Sequence, residues 1–181
     1  MPFMAATFLG SKPCELPASA LLRRYSESGA YADCYAAELP GAISRPMYVE
    51  AFYTTWLFKL ERAILRWAVR RPSTDIQARQ LAQGTLQSFA AWRVEGQDAT
   101  QILLGDFSGR TKSWLMVATI GGEGTRLYFG SAVVPVARTS DGKRSMGWVF
   151  HALLGFHRLY ARLLLHAACA RVRKAQAAQS A

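Results

Sequence analysis

Apolar and polar positions change their spacing several times along the chain, and each change marks a predicted element. Loose alternation over Tyr31 to Leu39 predicts a first strand. A helical period then runs from about Pro46 to Arg71. A second, short helix follows as far as Gly84, with Ser73 or Thr74 as its N-cap. The pattern therefore predicts one strand followed by a pair of helices.

Four strand-like runs come next, with only short connections between them. Turns of this length, rich in glycine, join neighbouring antiparallel strands, so they predict an antiparallel meander. A last apolar period, from about Ser145 to Lys174, predicts a long C-terminal helix. The order of elements therefore predicts an α+β fold. The four runs are Leu86–Glu95, Thr100–Phe107, Thr111–Ile120 and Thr125–Val136.

Length and local composition suggest one domain preceded by a short lead-in. The chain has 181 residues, which is within the range of a single domain. Residues 1–29 are rich in proline, serine and alanine and carry no sustained period. We therefore expect residues 1–29 to be poorly ordered or packed on the surface, and residues 30–176 to form a single domain.

The balance of residue types excludes a disordered charged tail and raises the question of an anionic partner. Hydrophobic residues make up 51% of the chain and charged residues 19%, with a formal net charge of +10. A basic stripe on the first helix includes Lys59, Arg62, Arg66 and Arg70, and the last helix adds further arginines. This stripe could meet nucleic acid or an anionic membrane surface. An even spread of charge that only maintains solubility is the alternative, since no nucleic-acid motif is present.

Targeting signals and cysteine usage favour a cytoplasmic location. The N-terminus lacks a basic segment followed by a long apolar run, so it does not resemble a signal peptide. The most apolar stretch, Gly147 to Ala170, is interrupted by histidines and arginines, which excludes a simple membrane-spanning helix. Cys14, Cys34 and Cys169 are scattered and odd in number, which argues against a disulfide framework and for thiols in a reducing compartment.

Glu61 is the most unusual polar position of the first long helix. Its neighbours one turn away on either side are apolar, and no basic residue lies three or four positions from it. If this face is buried, the carboxyl group needs a distant partner or a raised pKa. A salt bridge to an arginine of the sheet, a polar anchor or general acid/base in a cavity, and exposure at the edge of the face all remain open.

Two polar side chains of the last helix lie among apolar ones. His157 falls in the middle of a wide apolar arc, and Tyr160 follows one turn later. His157 is either a hydrogen-bonded core histidine or, together with Tyr160, a polar group directed into an apolar cavity. The spacing of the histidines does not place two metal ligands on one helical face, and no catalytic serine motif occurs. We therefore expect no metal and no cofactor.

Four segments carry a resemblance to a known superfamily. They are AFYTTWLFKLERAIL, GRTKSWL, TRLYFGSAVVP and GFHRLYARLLL, within a stretch from about Tyr31 to Arg173. They resemble an uncharacterised bacterial family of domains of unknown function that we associate with the START-like (SRPBCC) superfamily. The resemblance implies a helix-grip fold, in which the meander curves around the C-terminal helix and encloses a hydrophobic pocket. Many members bind lipids, sterols or polyketide-like molecules there, some are enzymes, and no universal catalytic set accompanies the fold.

These observations lead to three functional hypotheses. The first is binding of a hydrophobic or amphipathic small molecule between the sheet and the C-terminal helix. The second is an enzyme in the same pocket, a cyclase, dehydratase or hydrolase that uses Glu61 or His157 as acid or base. The third is a basic module for an anionic surface or nucleic acid, and a scaffolding or homodimeric role remains beside them. The residues predicted to contact the small molecule are Trp56, Glu61, Trp92, Trp114, Met116, Phe129, Phe150, His157 and Tyr160.

Overall fold

The computed structural model describes residues 11–68, 72–134 and 148–179, and only the backbone of 64–68 and 148–157 within them. Strands and helices follow the α+β order that the sequence predicts, with additional short elements. In chain order they are β1 Lys12–Pro13, α1 Arg23–Glu27, β2 Tyr31–Pro40, α2 Arg45–Tyr53, α3 Trp56–Ala68, α4 Asp75–Ala82, β3 Ser88–Phe89, β4 Trp92–Gln97, β5 Gln101–Asp106, β6 Thr111–Ile120, β7 Gly124–Val133 and α5 Trp148–Gln179.

Within the described ranges the strands form one antiparallel sheet in the order β1-β2-β7-β6-β5-β4-β3. The predicted antiparallel meander is confirmed, since β3 to β7 pair with their neighbours in the chain. Its first predicted run, Leu86–Glu95, is two strands rather than one, because the chain turns between Phe89 and Trp92. The first long strand, β2, pairs along its whole length with β7, with Tyr35 opposite Phe129. The sheet thus brings the beginning of the chain beside the last strand, next to which the C-terminal helix packs.

The predicted helix over Pro46 to Arg71 is two helices, because the backbone breaks at Thr54 and Thr55. The Thr54 hydroxyl donates to the carbonyl of Glu50 at 2.7 Å. The Thr55 hydroxyl donates to the carbonyl of Phe52 at 2.9 Å and accepts a hydrogen bond from the amide of Phe58 at 3.1 Å. These hydroxyls replace helical partners of the backbone, so α2 ends and α3 begins with Thr55 as its cap.

The short helix α4 begins as the sequence predicts. The Thr74 hydroxyl accepts a hydrogen bond from the Gln77 amide, and the Gln77 side chain accepts one from the Thr74 amide. This reciprocal pair is a capping box, which satisfies two amides that the first turn leaves without helical partners. Of the two predicted caps, Ser73 and Thr74, the structure therefore selects Thr74.

Both faces of the sheet are covered, and by different parts of the chain. Strand side chains alternate between the faces, so Leu115 and Val117 point to one side of β6 while Trp114 and Met116 point to the other. Leu115 and Val117 join the core beneath α2, α3, α4 and α5, called here the helix-side core. Trp114 joins a smaller cluster on the opposite face, called here the N-terminal-side core.

Residues 14–30, called here the N-terminal segment, supply the second cover. Leu22 of this segment is fully buried in the N-terminal-side core. The Leu21 amide donates to Oε1 of Gln101 at 2.9 Å, and Nε2 of Gln101 donates to the Ser19 carbonyl at 3.0 Å. Residues 1–10 of the expected lead-in lie outside the described residues. The part from residue 14 onward packs on the sheet and contributes to the N-terminal-side core.

Over residues 158–179, whose side chains the structure describes, helix α5 buries one stripe rather than the wide arc that its composition suggests. The buried residues recur every three or four positions, and Leu159 and Leu163 on the other side are exposed. His166 is exposed. No helix in the described ranges is long and apolar enough to cross a membrane. The buried stripe consists of Ala161, Leu164, Leu165, Ala168, Cys169 and Val172.

Candidate functional site

Helices α3 and α5 bring Glu61 and Tyr160 together at the helix side of the sheet. The Tyr160 hydroxyl donates a hydrogen bond to Oε2 of Glu61 at 2.6 Å. The sequence indicates that a buried Glu61 needs a distant partner. In the structure that partner is a phenol 99 positions away rather than an arginine of the sheet. Among the described residues, a neutral donor leaves the carboxylate charge without a cation, which is an uncommon arrangement for a largely buried acid.

Trp92, the first residue of β4, completes this group. Its indole N–H is buried and makes no hydrogen bond of normal geometry with any described residue. The indole nevertheless lies close enough to the Glu61 carboxylate to lower the pKa of that group. Three of the nine predicted ligand-binding residues, Glu61, Trp92 and Tyr160, therefore lie together, and we call them the polar triplet.

Burial decides the protonation of the polar triplet. It raises the pKa of Glu61 from the ordinary value of 4.5, and the hydrogen bond from Tyr160 and the nearby indole N–H of Trp92 oppose this only in part. Burial and the neighbouring Glu61 charge raise the pKa of Tyr160 well above its usual range. Tyr160 therefore stays a hydrogen-bond donor. The carboxyl group can take up a proton, and the indole can donate to an additional acceptor.

Two members of the polar triplet, Trp92 and Tyr160, pack against the apolar helix-side core. Phe58, three residues before Glu61, packs its ring against Tyr53 at 4.8 Å and stacks on Phe89 at 6.2 Å between centroids. Large apolar side chains are exposed on the same two helices, in pairs four residues apart. They are Trp56 (71% exposed) and Leu60 (55%) on α3, and Leu159 (57%) and Leu163 (47%) on α5.

Trp114, Met116 and Phe129, whose side chains the structure describes, do not join the polar triplet. Trp114 and Met116 lie on the opposite face of the sheet, so the prediction that they line a pocket against the C-terminal helix is corrected. Phe129 faces the helices but is a core residue, with its ring 4.8 Å from that of Phe52. The side chains of Phe150 and His157 lie outside the described residues.

The described part of the basic stripe is engaged within the fold. Lys59 and Arg62 both pair with Asp75 at the start of α4, at 2.5 and 2.6 Å. Arg62 also donates to the Ser73 carbonyl at 2.6 Å. Arg158 of the last helix donates to the Tyr31 hydroxyl at 3.0 Å. Lys59 and Arg62 therefore tie α3 to α4.

Titration of Glu61 gives the first testable consequence. Between 4.5 and its raised pKa in the folded state, the folded protein binds more protons than the unfolded chain. Stability therefore falls as pH rises through this interval, by at most about 1.4 kcal/mol per pH unit for one proton. Glu61→Gln removes this loss, so we expect the variant to be more stable than the wild type above the interval. Urea unfolding from pH 4 to pH 8 measures the difference, which should shrink at the acidic end.

The matched control is Glu38→Gln, which neutralises an exposed carboxylate paired with Arg126. Its stability should not exceed that of the wild type, because the substitution removes the ion pair with Arg126. If the free energies of unfolding of the wild type and Glu61→Gln differed by the same amount at every pH, the Glu61 carboxyl group would be shown to be ordinarily solvated.

Sequence reasoning missed a second pair of chemically active side chains. The sulfur atoms of Cys14 and Cys34 lie 3.2 Å apart on the face of the sheet that the N-terminal segment covers. A two-residue strand, β1, sets this pairing, and such a short strand has no periodicity that a sequence pattern could reveal. Among the described residues, no three His, Cys, Asp or Glu side chains are grouped as metal ligands. No protein-family model and no curated protein matches the chain.

Proposed function

We propose that the protein binds a hydrophobic or amphipathic small molecule between the sheet and the C-terminal helix, at the polar triplet. The observation that carries the proposal is the largely buried Glu61 carboxyl, hydrogen-bonded at 2.6 Å by Tyr160 and flanked by the buried N–H of Trp92. Ligand sites combine apolar walls with a few converging polar groups, and this region has both. The ligand class is a lipid-like or polyketide-like molecule that carries at least one hydrogen-bond acceptor.

The architecture supports the same proposal. We propose that the chain has a START-like helix-grip fold, with its ligand on the helix side of the sheet. The antiparallel strand order with β2 beside β7, and the long C-terminal helix, support this assignment. Fold analogy is a weaker argument for function than a site is. The proposal therefore depends on the polar triplet. We also propose a cytoplasmic location, which the cysteine usage suggests.

Each member of the polar triplet has a distinct role toward such a ligand. The Trp92 N–H donates to an oxygen of the ligand, which satisfies a buried donor that makes no hydrogen bond of normal geometry with the described residues. Tyr160 donates a hydrogen bond to Glu61, and the two groups accept or donate further hydrogen bonds at the ligand's polar end. The apolar part of the ligand covers exposed side chains such as Leu60 and Leu163.

Native mass spectrometry of the freshly purified protein tests the proposal directly. We expect an additional mass that is present in the native spectrum and lost on denaturation. A second copy of the chain is the competing occupant of the exposed apolar side chains, and it would appear as a doubled protein mass instead. A bare monomer that also fails to bind the fluorescent fatty acid cis-parinaric acid would contradict the proposal.

Variants of the polar triplet sharpen the test. We expect Trp92→Phe and Tyr160→Phe each to weaken cis-parinaric acid binding up to about tenfold, since one hydrogen bond contributes about 0.5–1.5 kcal/mol. Fluorescence titration measures the dissociation constants. Trp114→Phe and Tyr31→Phe are the matched controls, because they make the same changes away from the polar triplet. Equal affinities for all four variants would exclude the polar triplet as the binding site.

The raised pKa of Glu61 also favours a second candidate function, acid–base catalysis on the bound molecule. In that case Glu61→Gln would bind the recovered ligand and fail to convert it, while the wild type converts it. Unchanged ligand after prolonged incubation with the wild type would leave binding alone as the function.

A further inference from the structure

The pair of thiols on the other face of the sheet has the geometry of a disulfide in its reduced form. Cys14 and Cys34 are free thiols whose sulfur atoms lie 3.2 Å apart. That separation is only about 1 Å longer than a disulfide bond. The Cys14 amide donates to the Cys34 carbonyl at 2.9 Å, which continues the antiparallel pairing of β1 with β2. The backbone therefore holds the two side chains side by side.

The two thiols differ in access to small molecules. Cys14 is half-buried and lines a cavity of about 330 Å³, together with residues of the N-terminal segment. Cys34 lines the same cavity but is itself buried. Burial and the neighbouring Cys14 raise the pKa of the Cys34 thiol well above its usual range. An oxidant that enters the cavity therefore reacts first at Cys14, and Cys34 is positioned to resolve the product.

We propose that Cys14 and Cys34 are a reversible dithiol–disulfide site that fastens the N-terminal segment covalently to β2. The oxidant is a hydroperoxide. The Cys14 thiolate attacks one peroxide oxygen and the O–O bond breaks, which leaves Cys14 as a sulfenic acid. With hydrogen peroxide the leaving group is hydroxide, which takes up the proton that the Cys14 thiol released and becomes water. The Cys34 sulfur then attacks the Cys14 sulfur, the S–O bond breaks, and the hydroxide leaves with the Cys34 proton as a second water. A dithiol reductant reverses the bond by thiol–disulfide exchange.

The consequence of the bond follows from what the N-terminal segment covers. Leu22 of this segment packs in the N-terminal-side core with Trp114, and Gln101 ties the segment to β5 through side-chain hydrogen bonds. A covalent link at Cys14 restrains the segment near its beginning, beside the two residue pairs of β1 with β2 and the backbone hydrogen bond from Cys14 to Cys34. The site is independent of the polar triplet, which lies on the opposite face of the sheet.

Thiol counting on the full-length protein tests the proposal. The reduced protein, denatured and treated with N-ethylmaleimide, should carry three labels, one for each free cysteine. After hydrogen peroxide we expect one label, on Cys169, a loss of two hydrogen atoms in mass, and a peptide that links Cys14 to Cys34. Dithiothreitol should restore three labels. Three labels after oxidation, an intermolecular dimer, or a sulfinic acid on Cys14 with Cys34 still reactive would each overturn the proposal.

Variants separate this pair from the third cysteine. Cys169→Ala should still form the bond, because Cys169 lies in the helix-side core, and Cys14→Ser should not form it. Oxidation of the wild type should raise Tm by about 5–10 °C, the size typical of a cross-link in a domain of this length. The same treatment should leave Tm of Cys14→Ser unchanged. If the disulfide formed without a rise in Tm, the inference that it restrains the N-terminal segment would be wrong.

Discussion

Replacing Trp114 by alanine should lower the free energy of unfolding by about 3–5 kcal/mol, the usual cost of removing a large aromatic side chain from a core. The indole is fully buried beneath the N-terminal segment and packs 6.0 Å from the ring of Tyr128. Its N–H donates to Oε1 of Gln101 at 2.8 Å, the same oxygen that accepts from the Leu21 amide. Alanine at this position therefore leaves a cavity and weakens the attachment of the segment. Urea unfolding followed by circular dichroism measures the loss.

The control for this prediction is Met116→Ala, two residues along the same strand and on the same face. Met116 is only half-buried, so its truncation should cost clearly less than that of Trp114. Both variants should retain cis-parinaric acid binding under conditions where they are folded. A stable Trp114→Ala that has lost the ligand would show instead that this indole is a ligand contact, as its sequence context allowed.

The meander could be predicted because its signals are local. The strand residues alternate, and glycines with a positive φ occupy the turns after β5 and after β6. At the turn between β6 and β7, Gly121 and Gly122 have φ values of 55° and 79°, which suit glycine and few other residues. The break between α2 and α3 escaped prediction, since threonines are tolerated within helices unless their hydroxyls bond to the backbone.

The second cover of the sheet depends on contacts that a local pattern does not contain. Strands that are apolar on both faces indicate that something must cover each face or that the sheet bends around a cavity. In the structure, residues 14–30 cover the second face of the sheet, although their sequence has no periodic pattern. Leu22 is buried there through its position against distant strands rather than through any helical or extended period of its own.

The candidate site likewise has a part that the local sequence predicts and a part that depends on tertiary contacts. The need of Glu61 for a partner could be predicted from its neighbours within one helix. The partner itself, Tyr160, depends on how α3 and α5 pack, which only the tertiary structure provides. The separation of Trp114 from Phe129 depends on strand register, because a shift by one residue exchanges the faces of a strand.

Replacing Phe58 by alanine should affect both the core and the polar triplet. Phe58 is buried at the start of α3 and contacts the rings of Tyr53 and Phe89. We expect the free energy of unfolding to fall by about 3–5 kcal/mol, because the truncation removes buried aromatic area and leaves a cavity. Glu61 lies three residues later on the same helix, so a loosened α3 also lets water reach the carboxyl group. Urea unfolding at several pH values measures both effects.

Leu60→Ala is the matched control, because Leu60 lies on the same helix and is 55% exposed. Its truncation should change stability by no more than about 0.5 kcal/mol and leave the fall of stability with pH unchanged. In Phe58→Ala this fall should become shallower, since a solvated carboxyl group titrates near its ordinary pKa in both states. A Phe58→Ala variant that unfolds near the wild-type midpoint would contradict the packing of α3 on the sheet. An unchanged pH dependence in a destabilised variant would show instead that Tyr160 and Trp92 keep Glu61 from water without help from Phe58.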